Sequence, residues 1–311
     1  MSSSHRQAVW LHRFALLTVL ATFPLLFVGG LVTSTGSALA VPDWPTTFGY
    51  NMFLYPLSGM VGGVLYEHSH RLLGALVGFL TIILALWLWV QESRTWLRWL
   101  GVIALGGVIL QGVLGGLRVV LLQQTLAILH ACLAQGFFAL LVSIAFFTSG
   151  GLIPGAEAVP SAELGRLRRL CVLSTALIYV QIVFGAILRH TGARLDAHLL
   201  FAGLVTVHVL LLNLRVWRQH AEQPYLVRPV MLLSMLLMLQ LGLGLGSYLV
   251  QYTAMAGVVA PATRISLTTV HLVCGSLMFA ASVVLTLRTF AISGVPSPVI
   301  SGEPLAERVS L

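Results

Sequence analysis

His70, His130, His198 and His271 each stand near the start of a long apolar run, and each is followed four residues later by a small residue: Gly74, Ala134, Ala202 and Gly275. Residues four apart share a helix face, so the small side chain clears a flat space one turn from each imidazole. A lone histidine in an apolar helix is ordinarily a hydrogen-bonding partner between helices. Four at similar depth with the same kind of neighbour describe a repeated seat for a flat ligand. Imidazole is a common axial ligand of haem iron, and a porphyrin lying edge-on to a helix would collide with a bulky side chain at that place. Zinc and copper sites usually recruit mixed donors in a compact shell, and the sequence supplies no such set beside each histidine. A proton relay would not require the repeated small residue. Two bis-histidine sites follow, His70 with His130 and His198 with His271.

The elements that hold these residues are membrane helices. Of 311 residues 58% are hydrophobic and 8% charged, and the mean hydropathy of +0.96 requires lipid as the main solvent. Eight apolar runs are long enough to cross a bilayer, near 14–34, 69–90, 97–118, 125–148, 168–189, 196–215, 228–250 and 265–289. Irregular backbone cannot face lipid, so each run is expected to be a helix. The net charge of +8 comes entirely from arginine, and cytoplasmic arginines explain it better than nucleic acid does. Twelve of the 17 arginines fall on the side of the two termini, which places both termini in the cytoplasm. Every even helix then runs from outside to inside, and the histidines lie toward the outer ends.

The expected fold is therefore an all-α polytopic membrane protein of two pseudo-symmetric four-helix bundles. Residues 1–148 form the N-terminal half, 149–167 a cytoplasmic linker, 168–290 the C-terminal half and 291–311 a cytoplasmic tail. Thr-Gly recurs in register at 35–36 and 191–192, in GGLVTSTGSAL and GAILRHTGARL. Gln-x-x-x-Gly recurs on the third, fifth and seventh helices (Gln111–Gly115, Gln181–Gly185, Gln240–Gly244). Close helix packing alone would explain those glycines.

Other ionisable groups collect on the outer side. Glu67 lies three residues before His70, and a short helical extension would put both on one face. It reads either as a carboxylate favoured by the helix N-terminus or as a catalytic group over a haem edge. Arg118, Arg189, Arg194 and Arg264, with Arg71, are candidate partners for haem propionates, or anchors of helix ends. Asp43 and Trp44 in VPDWP are a cap and an interface anchor, or part of a flap over the outer sites. His208 is expected to bond to another helix; His190 and His68 are either solvated or supporting; His5, His12 and His220 are expected to be solvated. Cys132, Cys171 and Cys274 form no CxxC pair, and packing is their expected role.

These residues carry a resemblance. TGSALAVPDWP in the first outer loop, EHSHRLLGALVG, LHACLAQ, LDAHLLFAG and TTVHLVCGS together resemble the haem A synthase family, over about residues 14–290. The resemblance implies a prosthetic haem b held by His198 and His271, and substrate haem O held by His70 and His130. It implies oxidation of the C8 methyl group of haem O, by successive hydroxylation, to the formyl group of haem A, with Glu67 as the functional glutamate. Its implied partners are a haem O synthase, cytochrome oxidase assembly factors and an electron acceptor that the sequence does not name, with homo-oligomerisation left open. Some relatives carry a cysteine pair in the first outer loop; residues 35–68 have none, which excludes thiol-based electron input there. The rival readings are a dihaem b-type electron-transfer cytochrome and a haem carrier. No presequence precedes the first helix, which favours a bacterial plasma membrane over the mitochondrial inner membrane.

Overall fold

The computed structural model describes residues 3–149 and 159–295. Among the described residues there are eight long helices: α1 (Ser3–Ser34), α2 (Gly63–Gln91), α3 (Thr95–Leu121), α4 (Gln124–Thr148), α5 (Ser161–Thr191), α6 (Leu195–Gln219), α7 (Pro224–Tyr252) and α8 (Pro261–Ala291). All eight are long and apolar enough to cross a membrane, and their backbone polar groups are satisfied within each helix, as a lipid environment requires. Threonines inside the helices follow the same rule: the Thr22 and Thr81 hydroxyls donate to the carbonyls of Thr18 and Val77 one turn back.

The helices extend beyond the apolar runs because charged residues continue them past the lipid. α5 starts at Ser161, so the last residues of the expected 149–167 linker are helical. There Glu163 accepts from Arg215 of α6 at 2.6 Å, fastening the extra turns to a neighbour. Residues 150–158 of that linker and 296–311 of the tail lie outside the described residues. α2 likewise begins at Gly63, which brings Glu67 and His70 onto one helix.

Contacts order the helices into two rings. α1 packs on α2, α2 on α3, α3 on α4 and α4 on α1; α5 to α8 repeat the circuit, and α1 and α4 meet α5 and α8 between them. Each ring has its own apolar core. One gathers Leu11, Val77, Leu84, Leu88, Leu97 and Leu141; the other Leu167, Val209, Leu212, Leu226, Leu233 and Leu285. On the odd helices these residues precede, and on the even helices follow, the segments that carry the histidines and the Gln-x-x-x-Gly glycines. The cores therefore close one end of each ring, and the polar chemistry sits at the other. A parallel pairing of Val159–Pro160 with Gly294–Val295 ties the start of α5 to the end of α8.

The 35–62 segment folds over the histidine end of the first ring. α1 ends through Gly36, at φ 70°, whose left-handed conformation suits a residue without a Cβ. Asp43 then organises the turn: its carboxylate accepts from the Phe48 and Gly49 amides and from the Thr46 hydroxyl. Burial alone would raise the Asp43 pKa, but those bonds outweigh it and hold it at about 2. A depressed carboxyl pKa stabilises the fold above the usual value, and that stabilisation disappears as pH falls through the lowered one. Amide hydrogen exchange at Phe48 and Gly49 should therefore stay slow from neutral pH to about pH 3 and lose protection near the lowered pKa. Asp43→Ala should remove the protection throughout that range.

Candidate functional site

Each of the four histidines lies against a glycine of the preceding helix. A Cβ placed on Gly29 of α1 would stand 2.8 Å from His70 Cε1, on Gly115 of α3 3.3 Å from His130 Cε1, on Gly185 of α5 3.1 Å from His198 Cε1, and on Gly244 of α7 3.1 Å from His271 Cε1. A Cβ on Gly29 would force the ring to shift, and one on Gly115, Gly185 or Gly244 would press on it by a few tenths of an ångström. The rings then face one another in pairs. His70 and His130 have centroids 6.4 Å apart with planes at 83°, and His198 and His271 6.3 Å apart at 77°.

Those separations suit a shared metal. Two imidazoles bound on opposite sides of one ion at about 2.0–2.1 Å, with each ring centre about 1.1 Å further out, have centroids about 6.3 Å apart. Nδ1 of His70, His198 and His271 is buried without a hydrogen-bond partner, an arrangement that is costly unless a ligand or a ring rotation engages the imidazole. The residues present therefore fit two axially ligated haems.

The small residues four places on have distinct surroundings. Beside Gly74 there is open space, with no atom within 4 Å of an added Cβ. Gly275 faces the Gln240 amide, 3.1 Å from an added Cβ. The Ala134 amide donates to Gln111 at 2.8 Å, with the glutamine oxygen turned toward it. Ala202 accepts from Thr206 through its carbonyl. The Gln-x-x-x-Gly repeats thus have a function that spacing within one helix could not reveal: the glycine receives an imidazole and the glutamine reaches the same histidine's helix or ring.

Three residues before His70 on α2, Glu67 is 4% exposed and both its oxygens are engaged. One accepts from Arg71 at 3.0 Å and the other from the Val41 amide at 2.9 Å. Arg71 also donates to the carbonyls of Val41, Asp43 and Thr46, fastening the loop to α2. His68 is buried beneath the loop, bonded to Thr47 at 3.1 Å and packed on Tyr55, so its surroundings are protein rather than solvent. Trp44 lies directly on Gly116, where an added Cβ would meet the indole at 2.2 Å. Gly116 adjoins Gly115, so the loop rests one residue from the seat of His130.

The remaining arginines divide by burial. Arg118 donates to the Ala38 carbonyl at 3.1 Å. Arg189 crosses between the rings to the Gly30 carbonyl, the Ser34 hydroxyl and the Thr268 carbonyl. Arg194 is exposed beside Asp196, and Arg264 is exposed on the first turn of α8. Three other histidines differ from expectation. His12 bonds the Ala145 carbonyl and the Thr148 hydroxyl. His220 is buried, 3.5 Å from Glu163, because the start of α5 and the end of α6 pack together. His208 bonds to Leu204 one turn back in its own helix, not to another helix. His190, half-buried at the end of α5, accepts from Gln124 through its carbonyl.

Comparison with known proteins places the chain among its relatives. Residues 12–198 match the family model COX15-CtaA, described as cytochrome oxidase assembly protein. The chain is 35% identical over 191 residues to the heme A synthase of Shouchella clausii, covering 60% of this chain and 61% of that protein. Over 192 residues it is 32% identical to the heme A synthase of Geobacillus kaustophilus, covering 58% and 57%. It is 30% identical over 196 residues to that of Halalkalibacterium halodurans, covering 58% and 60%. The chain thus matches about 60% of the length of these relatives. The family match holds Glu67, His70, His130 and His198, while His271 lies beyond it and is joined to the set by its position opposite His198. A multi-pass membrane chain with this match over more than half its length belongs to the COX15-CtaA family of cytochrome oxidase assembly proteins.

Proposed function

We propose that the protein is a haem A synthase that oxidises the C8 methyl group of haem O to the formyl group of haem A, by successive hydroxylation, in a bacterial plasma membrane. The observation that carries this reading is the doubled imidazole pair, with centroids 6.4 and 6.3 Å apart, in a chain similar to proteins named heme A synthase. His70 and His130 hold substrate haem O; His198 and His271 hold a prosthetic haem b. When bound, haem b supplies one-electron chemistry between the substrate and an electron acceptor.

The protein's own groups supply orientation and proton management. Gly29, Gly115, Gly185 and Gly244 fix how far each imidazole stands from its partner. The 35–62 segment covers the first pair and limits water there, a condition that strengthens local electrostatics. Glu67, on the same helix as His70 and held by Arg71 and the Val41 amide, is the catalytic carboxylate: it accepts or relays a proton as the methyl group is oxidised. Arg71, Arg118 and Arg189 donate to main-chain carbonyls, and these guanidiniums would hold the haem propionates through charge-assisted bonds. Arg194 and Arg264 are the solvent-facing alternatives. Both termini are cytoplasmic, haem O arrives from a haem O synthase, and the product passes to cytochrome oxidase assembly.

Co-expression with a haem O synthase in a host lacking haem A tests the reaction through extraction and identification of the haems. Hydroxylated and formyl haem should appear; bound haem b alone would leave an electron-transfer cytochrome. Glu67→Gln should keep both haems and lower product formation by about 100-fold or more, and a normal rate would remove Glu67 from the chemistry. Gly185→Val should lower haem b content by displacing His198, whereas Gly165→Val on the same helix, where an added Cβ meets open space, should leave haem content unchanged.

A further inference from the structure

One cation lies where the two rings meet at their histidine ends. Arg189 of α5 donates to the Gly30 carbonyl at 2.7 Å and the Ser34 hydroxyl at 2.6 Å, both on α1, and to the Thr268 carbonyl of α8 at 3.2 Å. Ser34 in turn bonds the Thr268 and Thr269 hydroxyls, at 3.1 and 2.9 Å. These anchors stand beside an imidazole or its seat. Gly30 follows Gly29, which receives His70. Thr268 lies three residues before His271, on the same face of α8. Arg189 itself is one turn beyond Gly185, which receives His198. Four residues after the other three seats the chain has Thr33, Val119 and Tyr248. Arg118, three residues past Gly115, donates to Ala38 within its own half. The junction is therefore particular to α5 and not a product of the repeat.

No carboxylate pairs with Arg189 among the described residues, and its Nε is buried without a partner. Neutral oxygens satisfy its N–H groups but leave the charge uncompensated, and the field of such a charge is strong in a low-dielectric interior. Reduction adds an electron to a haem, so a fixed cation nearby favours the reduced form. We infer that Arg189 is a positioning residue shared by both sites, which ties the seat of His70 to the helix of His271 and raises the reduction potentials of both haems together. This rests on the bis-imidazole reading above. A charge at the junction moves both potentials in the same direction, so the gap between them changes less than either. Both sites are held toward the reduced state without setting a barrier to an electron that passes from one to the other.

Anaerobic spectroelectrochemical titration of the purified protein carrying both haems reads the two midpoint potentials. Arg189→Gln should lower both, with a smaller change in the gap between them, and Arg189→Lys, which keeps the charge, should bring both back toward the wild type. Arg166→Gln, exposed near the start of the same helix, should move neither. A midpoint at either site that stays at its wild-type value in Arg189→Gln would overturn the inference, as would the absence of recovery in Arg189→Lys. Should Arg189→Gln fail to retain haem, Ser34→Asp decides, because a carboxylate at that position neutralises the same charge in place. Both midpoints should then fall in Ser34→Asp and hold in Ser34→Asn, and equal midpoints in the two variants refute the shared charge. Failure of the bis-imidazole reading is seen separately and earlier, because the wild type would then lack two six-coordinate low-spin haem spectra before any titration, and this inference would fall with it.

Discussion

The contact between an imidazole edge and the bare backbone of a glycine on the adjacent helix is the constraint on which the rest of this structure depends. It occurs on all four helix pairs, from Gly29 with His70 to Gly244 with His271. It sets how closely the two helices of each pair approach at their histidine ends. It also fixes where each ring stands relative to its partner, with centroids 6.4 and 6.3 Å apart. A side chain at any of these glycines would alter helix spacing and ligand geometry together, because the same few ångströms define both.

A second layer of order comes from charge enclosed near the first imidazole pair. Glu67 and Arg71 have side chains only 6% and 10% exposed. Burying such a pair gains little net stability, but removing one partner typically costs about 3–5 kcal/mol. Here the pair is also saturated by main-chain groups: Arg71 meets three carbonyls and Glu67 one amide of the covering segment. The polar atoms therefore specify the conformation of the loop, and Trp44 against Gly116 places its apolar weight on the helix that seats His130.

Much of this was legible in the residue order. Eight apolar runs became eight helices, since lipid leaves the backbone few other solutions, and the recurring His-x-x-x-small pattern located the four imidazoles. Helix ends were less legible. The charged turn at Glu163 lowers hydropathy while remaining helical, with Glu163 paired to Arg215 of α6. The glutamines show a further limit: Gln-x-x-x-Gly was visible as a spacing, but its partners lie on a different helix, and only packing reveals them. His220 and His12 looked solvated because nothing in their neighbourhood in sequence announces Glu163 or the end of α4 as partners.

The apolar cores and the imidazoles occupy opposite ends of each ring. Leu84, Leu88, Leu141 and Ile144 are at most 1% exposed, and so are Leu212, Leu226, Leu233 and Leu285. A core leucine and a seating glycine therefore govern different properties of the molecule. The first decides whether the helices of a ring hold together at one end, the second where an imidazole stands at the other, so variation at one end can proceed without rewriting the other.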